Sequence, residues 1–474
     1  MEWVFDYVYN DNICSEESSI KIDRFLYRNE LYREIINRLY KSKYEVYIVG
    51  GFIRDFLTHN KFSEDVDFVT NATPEELKKL FYDMKFATGG ETFLVSFVNG
   101  VEIATYRRDV VNTGIRTDCQ VERAKSIEED LSRRDFTINA IAFSPITGEF
   151  IDPYRGKSDI HDRIIKFIGD PKDRIYEDNE RILRACRFMA VMEGLFDRLT
   201  FLALKKYSTL IKCVAPERIS LEIKKAMKIR KASVFFETMK LIGCLKYVFP
   251  SLRACHDQDG GPHHDETIFE HNMISGDTIH PKYPLIKLAG YLHDVGKPPC
   301  AIIDDKDYTL KFIEHEKVGA DLVRDELKAL CFSNDEIKYI CGLIYCHMNS
   351  FSKKLSKKAT KRFLVRLSKS GIDYRDWFRL FIADKHGNMK SRDFKLGELK
   401  SFLEKIKYLY ENENTFSLDA LSINGNDVMN ALSISQGPKV GIVLKKCFEY
   451  CLDNPGDNNK EFLLNFIKEI DYES

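Results

Sequence analysis

Val49-Gly50-Gly51-Phe52-Ile53-Arg54-Asp55 is followed, ten residues on, by Asp65-Val66-Asp67. The first stretch closes an apolar run and sets two glycines ahead of an arginine. Glycine lets a phosphate approach the backbone closely, and a helix N-terminus behind it favours an anion. The second stretch alternates carboxylates with an apolar residue; on a strand, positions i and i+2 share a face. Two carboxylates on one face suit Mg²⁺, which keeps positions open for phosphate and water. Alone, a Gly-Gly marks a tight turn and an Asp-x-Asp marks a solvated strand face. Close together they make a candidate site for nucleotidyl transfer. A third carboxylate, Glu102, falls on a predicted strand. Three could hold two ions ~3.5–4 Å apart, one for an attacking hydroxyl and one for a leaving pyrophosphate.

Short apolar runs at 46–49, 66–69, 93–98 and 102–106 read as strands, and Asn99-Gly100 is a hairpin signal between the last two. Thr73-Pro74-Glu75-Glu76 reads as a helix cap. Residues 25–41 read as one helix, and 1–24 as a polar, irregular extension. Residues 44–150 are thus expected to form a mixed α/β domain with an antiparallel component. After about residue 155 strand signals fade, and helical periodicity dominates through 176–192, 217–227 and 286–292. Breaks fall at 253–265 and near 411–415.

A chain of 474 residues exceeds one ordinary core, so two to four domains are expected. Net charge is −1, so contact with nucleic acid must come from local basic patches. The twelve cysteines include no C-x-x-C pair and are expected to be reduced. The start, Met1-Glu2-Trp3-Val4-Phe5-Asp6, is acidic where a signal peptide is basic. No apolar stretch approaches the ~18 residues that span a bilayer. The expectation is a cytoplasmic protein with neither membrane nor DNA as partner.

Two more clusters carry chemistry. In Ser132-Arg133-Arg134-Asp135-Phe136-Thr137-Ile138-Asn139 the arginines could bind phosphates as forks. Asp135 and Asn139 would share a helix face, where a ribose could bond. In Glu177-Asp178-Asn179-Glu180-Arg181 a helix would put Asp178 and Arg181 on one face. Aspartate accepts from an exocyclic amine and arginine donates to a ring acceptor. Cytosine and adenine present that pattern; uracil and guanine present its reverse. The plain alternatives are an amphipathic helix start and a surface ion pair.

In this order and spacing the clusters resemble the class II tRNA nucleotidyltransferase family, the CCA-adding enzymes and their poly(A) polymerase relatives. The resemblance covers about 40–225, and 421–427 with Gly437-Pro438 is similar to the family's tail. It implies an α/β nucleotidyltransferase head with a mixed, partly antiparallel sheet, then an all-α neck, body and tail. The boundaries expected are 1–40 for an N-terminal extension and helix, 41–155 for the head and 156–252 for the neck. A body over 253–395 and a tail over 396–474 follow. It implies that Asp65, Asp67 and Glu102 carry Mg²⁺, and that Gly50, Gly51, Arg54, Arg133 and Arg134 serve the triphosphate. Asp135 and Asn139 would lie near the ribose, Asp178 and Arg181 would read the base, and Arg184 would lie nearby. The substrates implied are CTP, ATP and a tRNA 3′ end. One departure concerns the loop after the third carboxylate, which in the family carries Arg-His-Pro and supports the switch from C to A. Here Arg107-Arg108-Asp109 leads to Arg116-Thr117-Asp118 without His-Pro. A poly(A) polymerase or CC-adding enzyme on the same scaffold is the alternative.

Eight of the eleven histidines lie between His256 and His347. Phe269-Glu270-His271 and Leu292-His293-Asp294-Val295-Gly296-Lys297-Pro298 resemble the HD phosphohydrolase superfamily. Its pattern of His, then His-Asp, then a distant Asp falls on His271, His293, Asp294 and Asp384. His315 and His347 could add ligands for a second ion. Imidazole and carboxylate suit a divalent transition metal or Mg²⁺, and such a metal could generate hydroxide against a phosphoester. Some bacterial CCA-adding enzymes carry an active HD domain, so phosphohydrolase activity is a further expectation. An HD phosphohydrolase whose head only binds RNA is the rival. His263-His264-Asp265 is a weaker metal candidate. Lys353, Lys354, Lys357, Lys358, Lys361 and Arg362 form a basic stretch that could meet tRNA phosphates or simply be a solvated face.

Overall fold

Two helices come first, α1 (Glu16–Arg28) and α2 (Glu30–Lys41). The expectation of an irregular stretch to residue 24 and a single helix over 25–41 is corrected here. Ile22 and Leu26 of α1 are fully buried, and that apolar stripe holds a helix in a polar sequence. Asn29 separates the helices because its Oδ1 accepts from Leu31 N at 3.0 Å and Tyr32 N at 3.2 Å. The computed structural model describes residues 16–62, 65–89, 94–111, 120–261, 265–305, 308–348, 357–389, 396–412 and 420–469. The chain divides into two units, Met1–Glu222 with Val234–Tyr247, and Ile223–Ser233 with Val248–Ser474.

The head of the first unit contains β1 (Val46–Val49), α3 (Gly51–His59), β2 (Asp67–Thr70), α4 (Pro74–Leu80), β3 (Phe86–Thr88), β4 (Val95–Val98) and β5 (Val101–Thr105). There follow β6 (Arg107–Val111), β7 (Gln120–Arg123), α5 (Ile127–Ser132), β8 (Ala142–Phe143) and β9 (Phe150–Ile151). Seven strands make one mixed sheet in the order β3-β4-β5-β2-β1-β8-β9, and β6 pairs with β7 apart from it. Asn99 and Gly100 both take positive φ, 49° and 87°, as a tight hairpin turn between β4 and β5 requires. β1 runs antiparallel to β2 with Val49 opposite Asp67, and β2 runs parallel to β5 with Phe68 opposite Ile103. That register brings Gly50, Asp67 and Glu102 to one end of three neighbouring strands. Ile48, Phe68 and Ile103 are fully buried, which fixes the register, since a one-residue slip would expose all three.

The first unit continues with α6 (Gly156–His161), β10 (Ile164–Ile165), α7 (Pro171–Glu177), α8 (Arg181–Met192), β11 (Leu195–Phe196) and α9 (Arg198–Tyr207). Next come α10 (Pro216–Ala226) and α11 (Ser233–Ile242). Two expectations change. Strand pairing persists past residue 155, because β10 pairs with β11 in parallel. The helix expected over 176–192 is two helices. Asp178 ends α7 in extended geometry at φ −151° and ψ 103°, and its Oδ1 accepts from Glu180 N at 3.1 Å. Side-chain bonding to a nearby backbone N–H has displaced a helical turn there.

Beyond these lie α12 (Leu245–Val248), α13 (Pro250–Ala254), α14 (Ile268–Thr278), α15 (Pro284–Leu292) and a hairpin of β12 (Ala301–Ile303) with β13 (Leu310–Phe312). The helices α16 (His315–Ala329), α17 (Asn334–Cys346), α18 (Lys357–Lys369), α19 (Tyr374–Gly387), α20 (Leu396–Asn412), α21 (Gly425–Leu432), α22 (Pro438–Asp453) and α23 (Lys460–Glu469) follow. In the basic stretch, Lys353 and Lys354 lie outside the described residues. Lys361 is buried and donates to Leu452 O at 2.9 Å near the C-terminal end of α22, so it is a helix-end cation and not a phosphate contact. Arg362 is exposed.

Helices α14 and α15 cross at Gly276. A Cβ there would lie 2.2 Å from two ring atoms of Tyr291, whose hydroxyl donates to Asp277 Oδ1 at 2.5 Å. Tyr291 is fully buried and tied by that bond, so its ring has little freedom to move aside. Gly276→Ala is therefore expected to destabilise the second unit by about 1–3 kcal/mol, the usual cost of overpacking. A lower thermal midpoint checks this; an unchanged midpoint would show that the crossing can open.

Candidate active site and candidate metal centre

Gly50 has φ +75°, and a Cβ there would lie 3.2 Å from Asp67 Oδ2 and 3.5 Å from Arg134 Nη1. Glycine is required on both counts. Asp67 opens β2, while Asp65 is exposed and stands two residues ahead of it, outside the strand expected to carry both. The carboxylates nevertheless act on one another. Burial, then the charges of Glu102 and Asp65, push the Asp67 carboxyl up to about 6, against the pull of Arg134 and Arg54. A carboxyl raised by burial and by two neighbouring carboxylates is what a hard divalent cation stabilises in its ionised form, so the donor set fits Mg²⁺.

Arg133 and Arg134 converge on Asp130, a residue that reading the sequence passed over. Asp130 Oδ1 accepts from Arg133 Nε at 3.1 Å and Nη2 at 2.9 Å, and Oδ2 accepts from Arg134 Nη2 at 3.2 Å. Burial would raise the Asp130 carboxyl, but the two guanidiniums hold it below the usual carboxylate range. Arg134 Nε is buried without a hydrogen-bond partner, which suits a phosphate receptor. Asp130 sits in an acidic helix start that looks like a solvated face. Its spacing to the two arginines, i to i+3 and i+4, was the available signal.

Asp135 and Asn139 meet as expected, although in a 3₁₀ turn and not an α-helix: Asn139 Nδ2 donates to Asp135 Oδ1 at 2.9 Å. Arg184 Nε donates to Asp135 Oδ2 at 2.6 Å. Burial would raise Asp135, but Arg184 and Asn139 hold it at about 2. Arg54 is turned inward; its Nη1 donates to Asn139 Oδ1 at 2.7 Å and its Nε to Asp55 Oδ1 at 2.8 Å. Asp178 and Arg181 do not pair with each other. Asp178 accepts from Arg218 Nη2 at 3.0 and 2.9 Å, and Arg181 Nη1 donates to Glu177 Oε2 at 2.6 Å. Arg218 lies 40 residues from Asp178, beyond any local pattern.

In the second unit, all six residues singled out converge. His271 Nε2 lies 3.1 Å from His293 Nε2, 3.1 Å from Asp384 Oδ1 and 3.6 Å from Asp294 Oδ2. His315 Nε2 and His347 Nε2 lie 3.3 and 3.5 Å from Asp294 Oδ1. Two triads that could each hold an ion share Asp294: His271, His293 and Asp294, then Asp294, His315 and His347. Three rings are anchored from behind, with Nδ1 bonded to Gly290 O at 2.9 Å, Phe312 O at 2.8 Å and Ile344 O at 2.6 Å for His293, His315 and His347. His271 Nδ1 faces Glu266 Oε1 at 3.3 Å. This outer bonding leaves each Nε2 as the ligand atom. The Nε2 atoms of His315 and His347 are buried without a hydrogen-bond partner, so the set fits a bound cation. Burial would lower His271, but its bonds to Asp384 and Glu266 raise it to about 9. Lys297, also unforeseen, bonds Asp294 Oδ2 at 2.7 Å. His263 and His264 lie outside the described residues, as does the loop segment Arg116-Thr117-Asp118.

Three family models match this chain: a poly A polymerase head domain over 46–166, a probable RNA and SrmB-binding site of polymerase A over 195–255, and an HD domain over 276–378. The last match stops short of His271 and Asp384, which the helix packing supplies. The CCA-adding enzyme of Limosilactobacillus reuteri (strain DSM 20016) is 34% identical over 198 residues, 41% of this chain and 48% of that relative, so the match spans about half its length. Those of Streptococcus pyogenes serotype M1 and Bacillus cytotoxicus are 26% and 27% identical over 92% of this chain, covering 95% and 97% of their own lengths. A Bacillus stearothermophilus CCA-adding enzyme solved with CTP superimposes with a TM-score of 0.68 at 21% identity, over 93% of this chain and 98% of the other. A Thermotoga maritima CCA-adding enzyme solved with tRNA gives 0.55 at 18% identity, over 96% and 98%. These two likenesses establish a shared fold. Among the described residues no helix is long and apolar enough to cross a membrane.

Two outcomes are expected. Because the Asp67 carboxyl is raised in the folded state, its ionisation costs stability, a cost that builds between the unfolded value near 3.8 and about 6. With divalent ions chelated, Asp67→Asn should therefore stabilise the protein at pH 7.5 by about 2–3 kcal/mol, with the gain gone below pH ~3.8. An equal effect of the substitution at both pH values would contradict the raised carboxyl. At the histidine cluster, Mn²⁺ or Ni²⁺ at a hundredfold excess over Kd should stabilise the protein by about 2.7 kcal/mol, and His293→Ala should abolish most of that gain. The same thermal shift in both proteins would place the ion elsewhere.

Proposed function

We propose that this chain, which belongs to the family of CCA-adding enzymes and poly(A) polymerases, is a template-independent tRNA nucleotidyltransferase that adds CCA to tRNA 3′ ends from CTP and ATP in the cytoplasm. The observation that carries this reading is the meeting of Asp65, Asp67 and Glu102 beside Gly50 and Arg134. Those carboxylates would hold Mg²⁺, which supplies activation of the tRNA 3′-hydroxyl and charge neutralisation on the leaving pyrophosphate. The bond formed joins the 3′-oxygen to the α-phosphorus of CTP or ATP, and the bond broken releases pyrophosphate. Gly50 and Gly51 leave room for the phosphates, and Arg134, held toward Asp67 by Asp130, supplies their positive field.

Asp178 and Arg181 would read the base. A carboxylate has about four lone-pair positions, so Asp178 can accept an exocyclic amine while Arg218 holds it in place. Arg181, braced by Glu177, would donate to the adjoining ring acceptor. The pattern admits cytosine and adenine and leaves uracil and guanine with mismatched groups, a difference worth about 1–3 kcal/mol per bidentate contact. The domains of this reading are the head over 41–155, the neck over 156–252, the HD domain over 253–395 and the tail over 396–474. A metal-dependent phosphohydrolase activity in the HD domain is a second reading, favoured by the two triads sharing Asp294.

The test is extension of a tRNA transcript ending at the discriminator base, with Mg²⁺ and CTP, ATP or both, resolved at single-nucleotide steps. Two additions with CTP and a third only with ATP are expected. Two and no third would mark a CC-adding enzyme, and a long ladder with ATP alone a poly(A) polymerase. Asp67→Ala should abolish incorporation while the protein stays folded; retained incorporation would remove Asp67 from the site.

A further inference from the structure

Arg54 and Asn139 are both, by residue type, suited to touch the nucleotide, yet one hydrogen bond ties them together, and the other guanidinium nitrogens of Arg54 donate to Asp55 Oδ1 at 2.8 and 2.6 Å. Arg54 is 8% exposed, and its guanidinium lies directly behind the glycine pair, with Nη2 3.6 Å from where a Gly51 Cβ would be. Asn139 is 6% exposed; its Oδ1 accepts from Arg54 at 2.7 Å and its Nδ2 donates to Asp135 at 2.9 Å. A guanidinium offers no acceptor and a carboxylate no donor, so the amide can be oriented in one way only. Asp135 passes the chain on to Arg184, which sits one turn after Arg181 on α8. The guanidinium carbons of Arg54 and Arg184 also lie 4.8 and 5.4 Å from the ring centre of Phe188, one further turn along α8. A continuous chain thus runs from the backing of the phosphate loop to the start of the helix that begins at Arg181.

We propose that Asn139 is a positioning residue that couples base reading at the start of α8 to the alignment of the phosphate loop, through Arg54 on one side and Asp135 with Arg184 on the other. The inference rests on the nucleotidyltransferase reading of the first unit. A base that seats correctly against Arg181 draws α8 to one position. Arg184, Asp135, Asn139 and Arg54 then hold the Gly50-Gly51 loop where the triphosphate meets the carboxylates. An ill-fitting base leaves the loop misaligned and lowers the rate of transfer more than it lowers binding. Discrimination therefore appears partly in kcat.

Asn139→Asp tests this by cutting one link: the new carboxylate still accepts from Arg54 but faces Asp135 with no proton between them. The readout is kcat and KM for CTP and for UTP on a tRNA transcript, with thermal midpoints alongside. The CTP-over-UTP ratio of kcat/KM should fall about tenfold, the weight of one charge-assisted hydrogen bond. Most of the fall should lie in kcat, with KM for CTP changed less than about twofold. Arg184→Lys cuts the next link and should lower the same ratio. The double variant should be no worse than the poorer single one, because a chain is broken by its first cut. If Asn139→Asp is too unstable to assay, the ratio for Arg184→Lys against wild type decides. An unchanged ratio in the variants, a loss confined to KM, or additive losses in the double variant would overturn the coupling. Failure of the wild-type protein to add nucleotides at all would instead overturn the reading on which it rests.

Discussion

Like charges forced together at one end of a mixed sheet organise the first unit. Burial, with the charges of Glu102 and Asp65 added to it, raises Asp67 to about 6, and the surrounding side chains answer that charge in alternating layers. Arg134 stands next to Asp67, Asp130 holds Arg134 and Arg133, and Arg54 sits behind the glycines with Asn139 and Asp135 beyond it. Each cation near the carboxylates has an anion or amide behind it, so its position is set before any ligand arrives. Preorganised positive groups of this kind are effective because they need no rearrangement as charge develops.

The second unit solves a related problem by different means. There the ionisable groups are buried in helices, and packing sets their positions. The contact of α14 and α15 at Gly276 sets the helices that carry His271 and His293, and each ring is then fixed by what its Nδ1 meets. Asp294 faces both halves of the cluster, with Lys297 on one oxygen and the rings of His315 and His347 near the other. A set of buried donors with unpartnered nitrogen atoms is unfavourable unless a cation completes it.

Much of this was legible in the sequence where local rules decide the outcome. Asn99-Gly100 specified its hairpin, the short apolar runs marked β1, β2, β4 and β5 but not β3 or β6 to β9, and the resemblance to the HD superfamily picked out the histidines and aspartates that converge. Legibility failed where a side chain competes with the backbone or where the partner is remote. Asn29 split one expected helix and Asp178 another, each by bonding a nearby N–H, which periodicity does not register. Asp130 looked like surface charge because its burial depends on packing from β6 and the turn after α5. Lys361 read as one of a basic series and is in fact buried against the end of α22.

The most direct test of the carboxylate account is the proton released when Mg²⁺ binds, measured by titration calorimetry at pH 6 in buffers of different ionisation enthalpy. Subtracting the result for Asp67→Asn removes contributions from the histidine cluster. With Asp67 near 6, wild type should release about half a proton more than the variant, because the bound cation drives the carboxyl to its ionised form. Equal release from the two proteins would mean that Asp67 is already ionised or does not meet the ion, and the account of the site would fail.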